Sequence, residues 1–385
     1  MTDTPTSQPA LNALGQAVQP PLTRIPADIG ALADYARHAR QHVEAHAWAH
    51  IESGCDHSLT LAHNRQALGR IQLLPEPLPD LSQAHTRLQL LGQPLDWPVL
   101  LAPVAYHRLA HPEGEIASVR AAMAMRTGMV VSTLSSYTLE DIAQAAAAAC
   151  QEMGRTAPLW FQLYSQPDRA HTLSLVRRAE AAGYQALVWT VDANIKRSGY
   201  PLPAGVEAAN LRGMPQTHQT GDLMSEHILF GTPLATSAPS WSDLEWLRAN
   251  TQLPLIVKGI LSPRAARQAA DMGADAIVVS NHGGRVLDTA VSPIDVLAAV
   301  RQAVGPQLPL LLDSGVRQGT DVLKALALGA QAVMIGRPQL HSLAVAGTLG
   351  TAHMLYLLRS ELELAMAQTG CAQLQQISAD LLWPR

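Results

Sequence analysis

The stretch LPLLLDSGVRQGTDVLKALALGAQAVMIGR, residues 308–337, places two short apolar runs on either side of a helical pattern. The runs LPLLLDSG (308–315) and AVMIGR (332–337) are apolar until they end in polar residues. A continuous apolar run of this length is typical of a strand covered on both faces, as in a parallel sheet. With GTDVLKALALG between them as the helix, the stretch predicts a β-α-β unit.

Six similar apolar runs precede this unit, and helical patterns separate them. The runs are PVLLAPVA (98–105), MVVST (129–133), LWFQL (159–163), ALVWTVD (186–192), LPLIVKG (253–259) and AIVVSN (276–281). Eight strands that alternate with helices predict a closed (β/α)8 barrel, the TIM barrel of the α/β class. An open doubly wound sheet is the alternative, but it usually has fewer strands and a glycine-rich turn after the first one, where this chain has APVAYH.

The barrel accounts for residues 98–385, and further segments accompany it. Residues 24–97 contain the helical stretches ADYARHARQHVEAHAWAHIES and LTLAHNRQALGRI, which we expect to cover the bottom or one side of the barrel within a single domain over 24–385. Residues 193–240 form a long insertion after the fourth strand, and long loops at that end of a barrel often act as lids or substrate loops. The polar residues 1–23 indicate a flexible N-terminal arm.

The composition excludes several kinds of partner and site. A formal net charge of −4 over 385 residues gives no reason to expect nucleic acid or an anionic membrane as a partner. No apolar run approaches the ~20 residues that cross a bilayer, and the N-terminus lacks the features of a signal peptide. The three cysteines are far apart and show no metal-ligand spacing. We therefore expect a cytoplasmic protein without a metal site.

Polar residues follow seven of the eight predicted strands. In a TIM barrel the active site lies at the C-terminal ends of the strands, so this convergence predicts a ligand site. The residues concerned are Ser132–Ser135, Gln162, Tyr164, Thr190, Asp192, Lys258, Ser280–Arg285, Asp313–Arg317 and Gly336–Arg337.

The last two strand ends indicate a phosphate site. The segments DSGVRQGTD and IGRP put glycines, backbone N–H groups, Arg317 and Arg337 where this fold usually binds phosphate. The alternative is that Gly315, Gly319 and Gly336 only form tight turns. A phosphate at this position implies a nucleotide-like cofactor or a phosphorylated substrate.

The loop SNHGGRVLD (280–288) supplies a base and an anion-binding group. The imidazole of His282 can act as a base near neutral pH. The guanidinium of Arg285 can bind a carboxylate through two hydrogen bonds. Gly283 and Gly284 would let the backbone turn close to a ligand.

Asp192 and Lys258 complete this set. Asp192, at the end of the fourth strand, is a candidate to orient His282 and stabilise its protonated form; the alternative is a cap on the following loop. Lys258 ends an apolar strand, where an ammonium is costly unless it meets an anion. It would place positive charge where negative charge develops, unless its side chain simply extends to the rim.

Seven motifs together carry a resemblance to a known family. They are SNHGGRVLD, DSGVRQGTDVLKALALGA, IGRP, LPLIVKG, FQLY, AHPEGE and SGCDHSLTLAHNR. From about residue 24 to 380 the chain resembles the FMN-dependent α-hydroxy acid oxidases and dehydrogenases, which include glycolate oxidase, lactate oxidase and mandelate dehydrogenase. The resemblance implies a TIM barrel, FMN as cofactor, and oxidation of an L-2-hydroxy acid to the 2-oxo acid. It also implies a homo-oligomer, often a tetramer, with O₂, a quinone or a redox protein as electron acceptor.

The resemblance implies a role for each matched residue. His282, supported by Asp192, removes a proton as a hydride or its equivalent passes to flavin N5. Arg285 and Tyr164 bind the substrate, and Lys258 stabilises the reduced ring beside flavin N1 and O2. The other implied cofactor contacts are the backbone of Pro103, Val104 and Ala105, the side chains of Ser135, Gln162, Thr190 and Ser280, and, for ribityl and phosphate, Asp313, Ser314, Gly315, Arg317, Gly336 and Arg337.

The substrate half of the family pattern is altered. His50 stands where the family has a tyrosine that contacts the substrate carboxylate, and we take His50 as a candidate for that contact. A second carboxylate-binding arginine would fall at Gly199, and Lys196 or Arg197 could replace it from a shifted loop. Losing one of two arginines should weaken carboxylate binding by a few kcal/mol, since charged hydrogen bonds contribute roughly 1.5–3 kcal/mol each.

Two smaller departures accompany these. Ser314 replaces the usual glycine, and Tyr137 stands where glycolate oxidase has a tryptophan. We therefore expect a non-standard substrate, larger than usual or with its anion elsewhere. The alternatives are FMN-dependent oxidation of an unusual alcohol or amine, and non-redox flavin catalysis on the same barrel.

Overall fold

The computed structural model of the chain describes residues 10–195, 202, 205–214 and 229–383. Within these residues the helices are α1 (Leu32–Ala39), α2 (Ala45–Glu52), α3 (Leu59–Arg70), α4 (Gly114–Ala124), α5 (Leu139–Met153), α6 (Arg169–Ala181), α7 (Pro233–Thr236), α8 (Trp241–Asn250), α9 (Pro263–Asp271), α10 (Pro293–Val304), α11 (Gly319–Ala327) and α12 (Arg337–Gln368). The strands are β1 (Leu88–Leu90), β2 (Gln93–Leu95), β3 (Val99–Leu101), β4 (Gly128–Ser132), β5 (Leu159–Leu163), β6 (Leu187–Thr190), β7 (Leu255–Ile260), β8 (Ala276–Val279), β9 (Leu310–Leu312) and β10 (Ala332–Ile335).

Strands β3 to β10 close into one parallel barrel. They pair in chain order, and β10 returns to β3 with Val333 opposite Val99. A helix follows each of these strands, and the eight apolar runs of the sequence form the eight barrel strands. The predicted (β/α)8 barrel is therefore confirmed.

Two layers of apolar side chains hold the barrel together. The interior layer includes Trp160, Val188 and Ile256, each fully buried. The other layer, which includes Phe161 and Leu187, lies between the strands and the outer helices. Because alternate side chains of a strand point to opposite faces, runs that are apolar throughout supply both layers at once.

The β1–β2 hairpin closes the N-terminal end of the barrel. Leu90 and Leu95 belong to the interior cluster. Trp160, near the start of β5, donates its Nε1 hydrogen to Gln93 Oε1 at 3.0 Å. The bottom of the barrel is therefore covered by this hairpin, which lies outside the two helical stretches that we expected to form the cover.

Helices α2 and α3 lie at the opposite, C-terminal end of the barrel. The sequence predicts that this segment covers the bottom or one side, and it does not predict contacts at the C-terminal end. Ile51 and Ser53, at the end of α2, accept hydrogen bonds from arginines that follow β8 and β10. The backbone of Leu61 in α3 lies against Gly284. The unpaired carbonyls at a helix end carry partial negative charge, and that charge draws α2 to the arginines of the rim.

Residues 10–23 pack against the rest of the chain. Asn12 is 1% exposed, and its Nδ2 donates to Gln41 O at 3.2 Å. Leu22 N donates to a carbonyl of α12 at 2.7 Å. The prediction of a flexible arm over 1–23 is therefore wrong for these residues, because their polar groups bind the backbone of the protein.

The long final helix α12 is broken in two. Ala346 and Gly347 have non-helical backbone angles, with φ of −151° and 53°. None of the helices in the described part of the chain, α12 included, is long and apolar enough to cross a membrane.

Gly319, at the start of α11, tests the packing of α11 on α12. A Cβ there would overlap the backbone of Glu361 and Leu362, whereas a Cβ at Gly69, inside α3, would meet nothing within 4 Å. We expect Gly319→Ala to lower the free energy of unfolding by about 2 kcal/mol or more, because overpacking against backbone cannot relax cheaply. Gly69→Ala should be neutral or stabilising by up to about 1 kcal/mol, since Ala favours a helix interior. Chemical denaturation of both variants measures the difference, and equal stabilities would contradict this packing.

Candidate active site

A histidine, an aspartate and a tyrosine meet at the C-terminal mouth of the barrel. His282 follows β8, Asp192 follows β6 and Tyr164 follows β5. His282 Nδ1 lies 3.0 Å from Asp192 Oδ1, and His282 Nε2 lies 3.3 Å from the Tyr164 hydroxyl. Because Nδ1 faces the carboxylate, Nε2 is the ring nitrogen available for proton transfer at the mouth.

The Asp192 side chain is 13% exposed, and opposing effects act on the pKa of its carboxyl group. Burial alone would raise its pKa, but His282 and the Lys258 ammonium lower the pKa below its usual value. Gly259 makes room for this carboxylate, since a Cβ at Gly259 would lie 2.5 Å from Asp192 Cγ. Sequence reasoning missed Gly259, although a glycine that interrupts an apolar strand is a signal of close approach.

Lys258 forms a buried ion pair. Its Nζ lies 3.0 Å from Asp313 Oδ2, and the two side chains are 4% and 9% exposed. Nζ also donates to Ser280 Oγ at 3.0 Å. Burial would lower the pKa of Lys258, but Asp313 and Asp192 raise it above its usual value. The ammonium thus meets anions, and the alternative of a side chain that extends to the rim is wrong.

Two arginines bind the carbonyl end of α2. Arg285 Nη1 donates to His50 O and Ser53 O, both at 2.9 Å. Arg337 donates to Ile51 O at 3.0 Å and to Ser53 O at 2.8 Å. Burial lowers the pKa of both arginines, and with the neighbouring arginines it brings the pKa of Arg337 to about 9. The α2 terminus therefore fixes both guanidinium groups at the mouth.

The residues predicted to bind phosphate cluster after β9 and β10. Arg317 is half-buried, and loss of contact with water together with Arg65 lowers its pKa to about 10. Ser314 has a left-handed backbone with a φ of 75°, which explains why the family prefers glycine there. Its Oγ donates to Asp313 Oδ1 at 2.7 Å and accepts from Gly283 N at 2.9 Å. The serine is accommodated because its hydroxyl is used within the loop.

The close approach at Gly284 involves another part of the chain. A Cβ at Gly284 would lie 2.6 Å from Leu61 N, and one at Gly315 would lie 2.9 Å from Asn64 O. The absence of a side chain at Gly284 thus serves contact with α3, and the predicted close approach of Gly283 and Gly284 to a ligand stays a prediction. Gly284 and Gly315 let the rim loops pack tightly against α3.

Among the buried polar atoms at the mouth without a hydrogen-bond partner in the described ranges, two belong to uncharged side chains of barrel strands. They are Gln162 Nε2, at the end of β5, and Thr190 Oγ1, at the end of β6. Both residues are at most 2% exposed. Unsatisfied buried groups are costly and therefore point to a missing partner. A flat ring system with carbonyl oxygens and ring nitrogens, such as the isoalloxazine of FMN, would satisfy both.

The segment after β3 borders the same mouth. Pro103, Val104 and Ala105 are half-buried there. Val104 Cγ2 lies 4.0 Å from the position that a Cβ of Gly336 would take. The first and last strands of the barrel thus bring their predicted cofactor residues together.

The hydroxyl group of Ser135 can serve a cofactor only as a hydrogen-bond acceptor. Its hydroxyl donates to Tyr137 O at 2.7 Å and accepts from Asn210 Nδ2 at 2.8 Å, so it keeps an acceptor position and has no free hydrogen for a flavin. Asn210 also donates to Thr133 O at 3.1 Å and is 1% exposed. Sequence reasoning missed Asn210, because nothing in the composition of the insertion marks one asparagine as buried.

His50 lies at the mouth, and its ring meets Tyr106 edge-on with 6.4 Å between the ring centres. Its carbonyl accepts from Arg285, as described above. The two candidates for a second carboxylate-binding group, at positions 196 and 197, lie outside the described residues, as do position 199 and part of the predicted lid. Their roles stay predictions.

The family described as FMN-dependent dehydrogenase matches residues 39–384. The chain belongs to this family. The L-lactate oxidase of Alicycliphilus denitrificans is 48% identical over 371 residues, which cover 94% of this chain and 99% of that protein. The 4-hydroxymandelate oxidase of Amycolatopsis orientalis is 41% identical over 347 residues, covering 88% and 94%. The crystal structure of mandelate oxidase with 3,3-difluoro-2-hydroxy-3-phenylpropionic acid matches with a TM-score of 0.80 and 39% identity, covering 92% of this chain and 99% of that one.

Membership in the FMN-dependent dehydrogenase family confirms the resemblance seen in the motifs. The protein is an oxidoreductase, and FMN is its cofactor. The unsatisfied atoms of Gln162 and Thr190 agree with that cofactor on structural grounds alone.

Lys258→Met should lower the free energy of unfolding of FMN-free protein by about 3–5 kcal/mol, because it leaves Asp313 buried and unpaired. Since the folded pKa of Lys258 is raised, its contribution is complete below the ordinary lysine pKa of about 10.4 and is lost as the pH rises through the folded value. Chemical denaturation at neutral pH measures the loss. The double variant Lys258→Met/Asp313→Asn should recover part of it. A loss below about 1 kcal/mol, typical of a surface pair, would contradict the buried pairing.

Thr190→Val should weaken FMN binding about tenfold, because one hydrogen bond to the cofactor is lost. The FMN-free variant should be as stable as wild type or up to about 1 kcal/mol more stable, since a methyl replaces an unsatisfied hydroxyl. Thr351→Val is the matched control, because Thr351 Oγ1 is also buried without a partner within the described ranges but belongs to α12. Fluorescence titration with FMN gives the affinities. An unchanged affinity in the Thr190 variant would show that this hydroxyl does not face the cofactor.

Proposed function

We propose that the protein oxidises a 2-hydroxy acid to the 2-oxo acid with FMN as electron acceptor. The arrangement of His282 between Asp192 and Tyr164, at 3.0 and 3.3 Å, carries this proposal. The same mouth presents Arg285 and the buried Lys258. A base, a carboxylate-binding guanidinium and a fixed positive charge are the groups that such a reaction needs.

The residues of the mouth would hold FMN from its ring to its phosphate. Gln162 Nε2 and Thr190 Oγ1 would bind the ring, and Lys258 would lie beside it. Arg317 would bind the phosphate with the backbone of the neighbouring loops. The remaining proposed contacts are Pro103, Val104, Ala105, Ser135, Ser280, Asp313, Ser314, Gly315, Gly336 and Arg337. FMN, when bound, would supply the acceptor for the two electrons and for the hydrogen of the C–H bond that leave the substrate.

Proton transfer falls to His282. Its Nε2 accepts the proton of the substrate hydroxyl while the C–H bond breaks and the C=O bond of the 2-oxo acid forms. Asp192, held at Nδ1, orients the ring and stabilises the imidazolium. Arg285 binds the substrate carboxylate, and Tyr164 binds the hydroxyl or carboxylate and keeps the reacting groups next to Nε2.

The substrate itself is the open part of this proposal. Relatives named L-lactate oxidase and 2-hydroxyacid oxidase favour a 2-hydroxy acid. His50 in place of the family tyrosine favours a non-standard one, and an unusual alcohol or amine is the second candidate for the same reason. Non-redox catalysis has no observation in its favour.

The acceptor and setting are proposed on similar grounds. We infer that O₂, rather than a quinone or a redox protein, is the final electron acceptor that reoxidises the flavin, because the relatives are named oxidases. Cys55, Cys150 and Cys371 are free thiols, which suits a reducing compartment such as the cytoplasm. The homotetramer implied by the resemblance stays a prediction.

His282→Ala should keep its FMN and yellow colour but lose flavin bleaching by 2-hydroxy acids, by about a hundredfold or more, because a general base is removed. Anaerobic stopped-flow absorbance measures the bleaching rate. His171→Ala, on the outer helix α6, is the matched control and should bleach like wild type. Normal bleaching in the His282 variant would remove this residue from the mechanism.

A further inference from the structure

Within the described part of the chain, three residues that lie no more than five positions after the end of a barrel strand have left-handed backbones although they are not glycine. They are Tyr106 after β3, His282 after β8 and Ser314 after β9, with φ of 56°, 58° and 75°. A bulky residue in this region is strained, and such strain clusters at functional sites. His282 and Ser314 already belong to the proposed site, whereas Tyr106 has no role in it.

The strained backbone of Tyr106 is held from both sides. Its N–H donates to Leu134 O at 3.1 Å, and its carbonyl accepts from Leu109 N at 2.9 Å. The ring is half-buried and meets the edge of His50. The segment therefore fixes the phenol beside the residue that replaces the family tyrosine.

The hydroxyl of Tyr106 is available to a ligand. No hydrogen bond to it occurs within the described ranges, where the other phenols at the mouth are engaged: Tyr164 with His282 Nε2, and Tyr137 with Pro112 O. Burial raises the pKa of Tyr106, so the phenol keeps its hydrogen at neutral pH. Burial raises the pKa of Tyr164, and the charges of Asp192 and of an ionised Tyr106 raise it further.

We propose that Tyr106 is a substrate-binding residue that donates its phenol hydrogen to the carboxylate of the 2-hydroxy acid. The inference rests on the proposed function and extends it to a residue of the β3 loop. Arg285 Nη1 is engaged with carbonyls of α2, and Tyr164 is engaged with His282. Tyr106 thus supplies a neutral donor for the anionic end of the substrate, where His50 has displaced the family phenol.

Holoenzyme carrying Tyr106→Phe tests this role, with L-lactate as substrate and oxalate as a non-reacting carboxylate. Removing one hydrogen bond to a charged group should raise the KM for L-lactate and the Kd for oxalate tenfold or more. The limiting rate of flavin bleaching should stay within threefold of the wild-type rate, and the FMN content should not change. A residue with a merely structural role would not give this combination of a raised KM and an unchanged limiting rate. Tyr356→Phe, an exposed phenol on α12, is the matched control and should change neither constant.

A second variant protects the test against misfolding. Tyr106→Asn also removes the phenol, and asparagine tolerates a left-handed backbone, so it should show the same losses. KM and oxalate Kd within twofold of wild type in either FMN-loaded variant would overturn the inference, as would a lower limiting rate at unchanged KM. Failure of the proposed function would look different from failure of this inference. In that case no 2-hydroxy acid would bleach the flavin of the wild-type protein.

Discussion

The buried charge of Lys258 is the constraint on which the site depends. An ammonium that is 4% exposed stays ionised only beside carboxylates, and Asp313 and Asp192 supply them from two other strands. Asp192 also holds His282, so one network joins the base, the ammonium and the loop at the phosphate end. A parallel barrel can build such a network because it brings the carboxyl ends of all its strands to one rim.

The barrel alone does not complete this rim. The carbonyl end of α2 binds Arg285 and Arg337, and α3 packs on the glycine-rich loop after β8. The N-terminal segment therefore fixes two guanidinium groups that we propose bind the substrate and the cofactor. The same segment places His50 against Tyr106 of the β3 loop, the residue that we propose binds the substrate carboxylate.

The sequence predicts the parts of the structure that depend on local pattern. Eight apolar runs became eight strands, and Asp192 and His282 lie together because strand ends converge. The contacts of Asn210 and the position of α2 could not be predicted, since they depend on which distant backbone groups need partners. The prediction of a flexible arm failed for residues 10–23 for a related reason. Composition alone does not show that Asn12 donates a hydrogen bond to the protein backbone and not to solvent. The proposed role of Tyr106 could not be predicted, because a strained backbone has no recognisable pattern in a single sequence.

We propose that electrons are transferred from a 2-hydroxy acid to FMN at the C-terminal mouth of the barrel. Anaerobic titration of FMN-loaded wild-type protein with a panel of small, aliphatic and aromatic 2-hydroxy acids measures this most directly. We expect at least one acid to bleach the flavin with one 2-oxo acid formed per FMN, and air to restore the yellow colour. A flavin that stays yellow with every acid, while an amine or a simple alcohol bleaches it, would contradict the account.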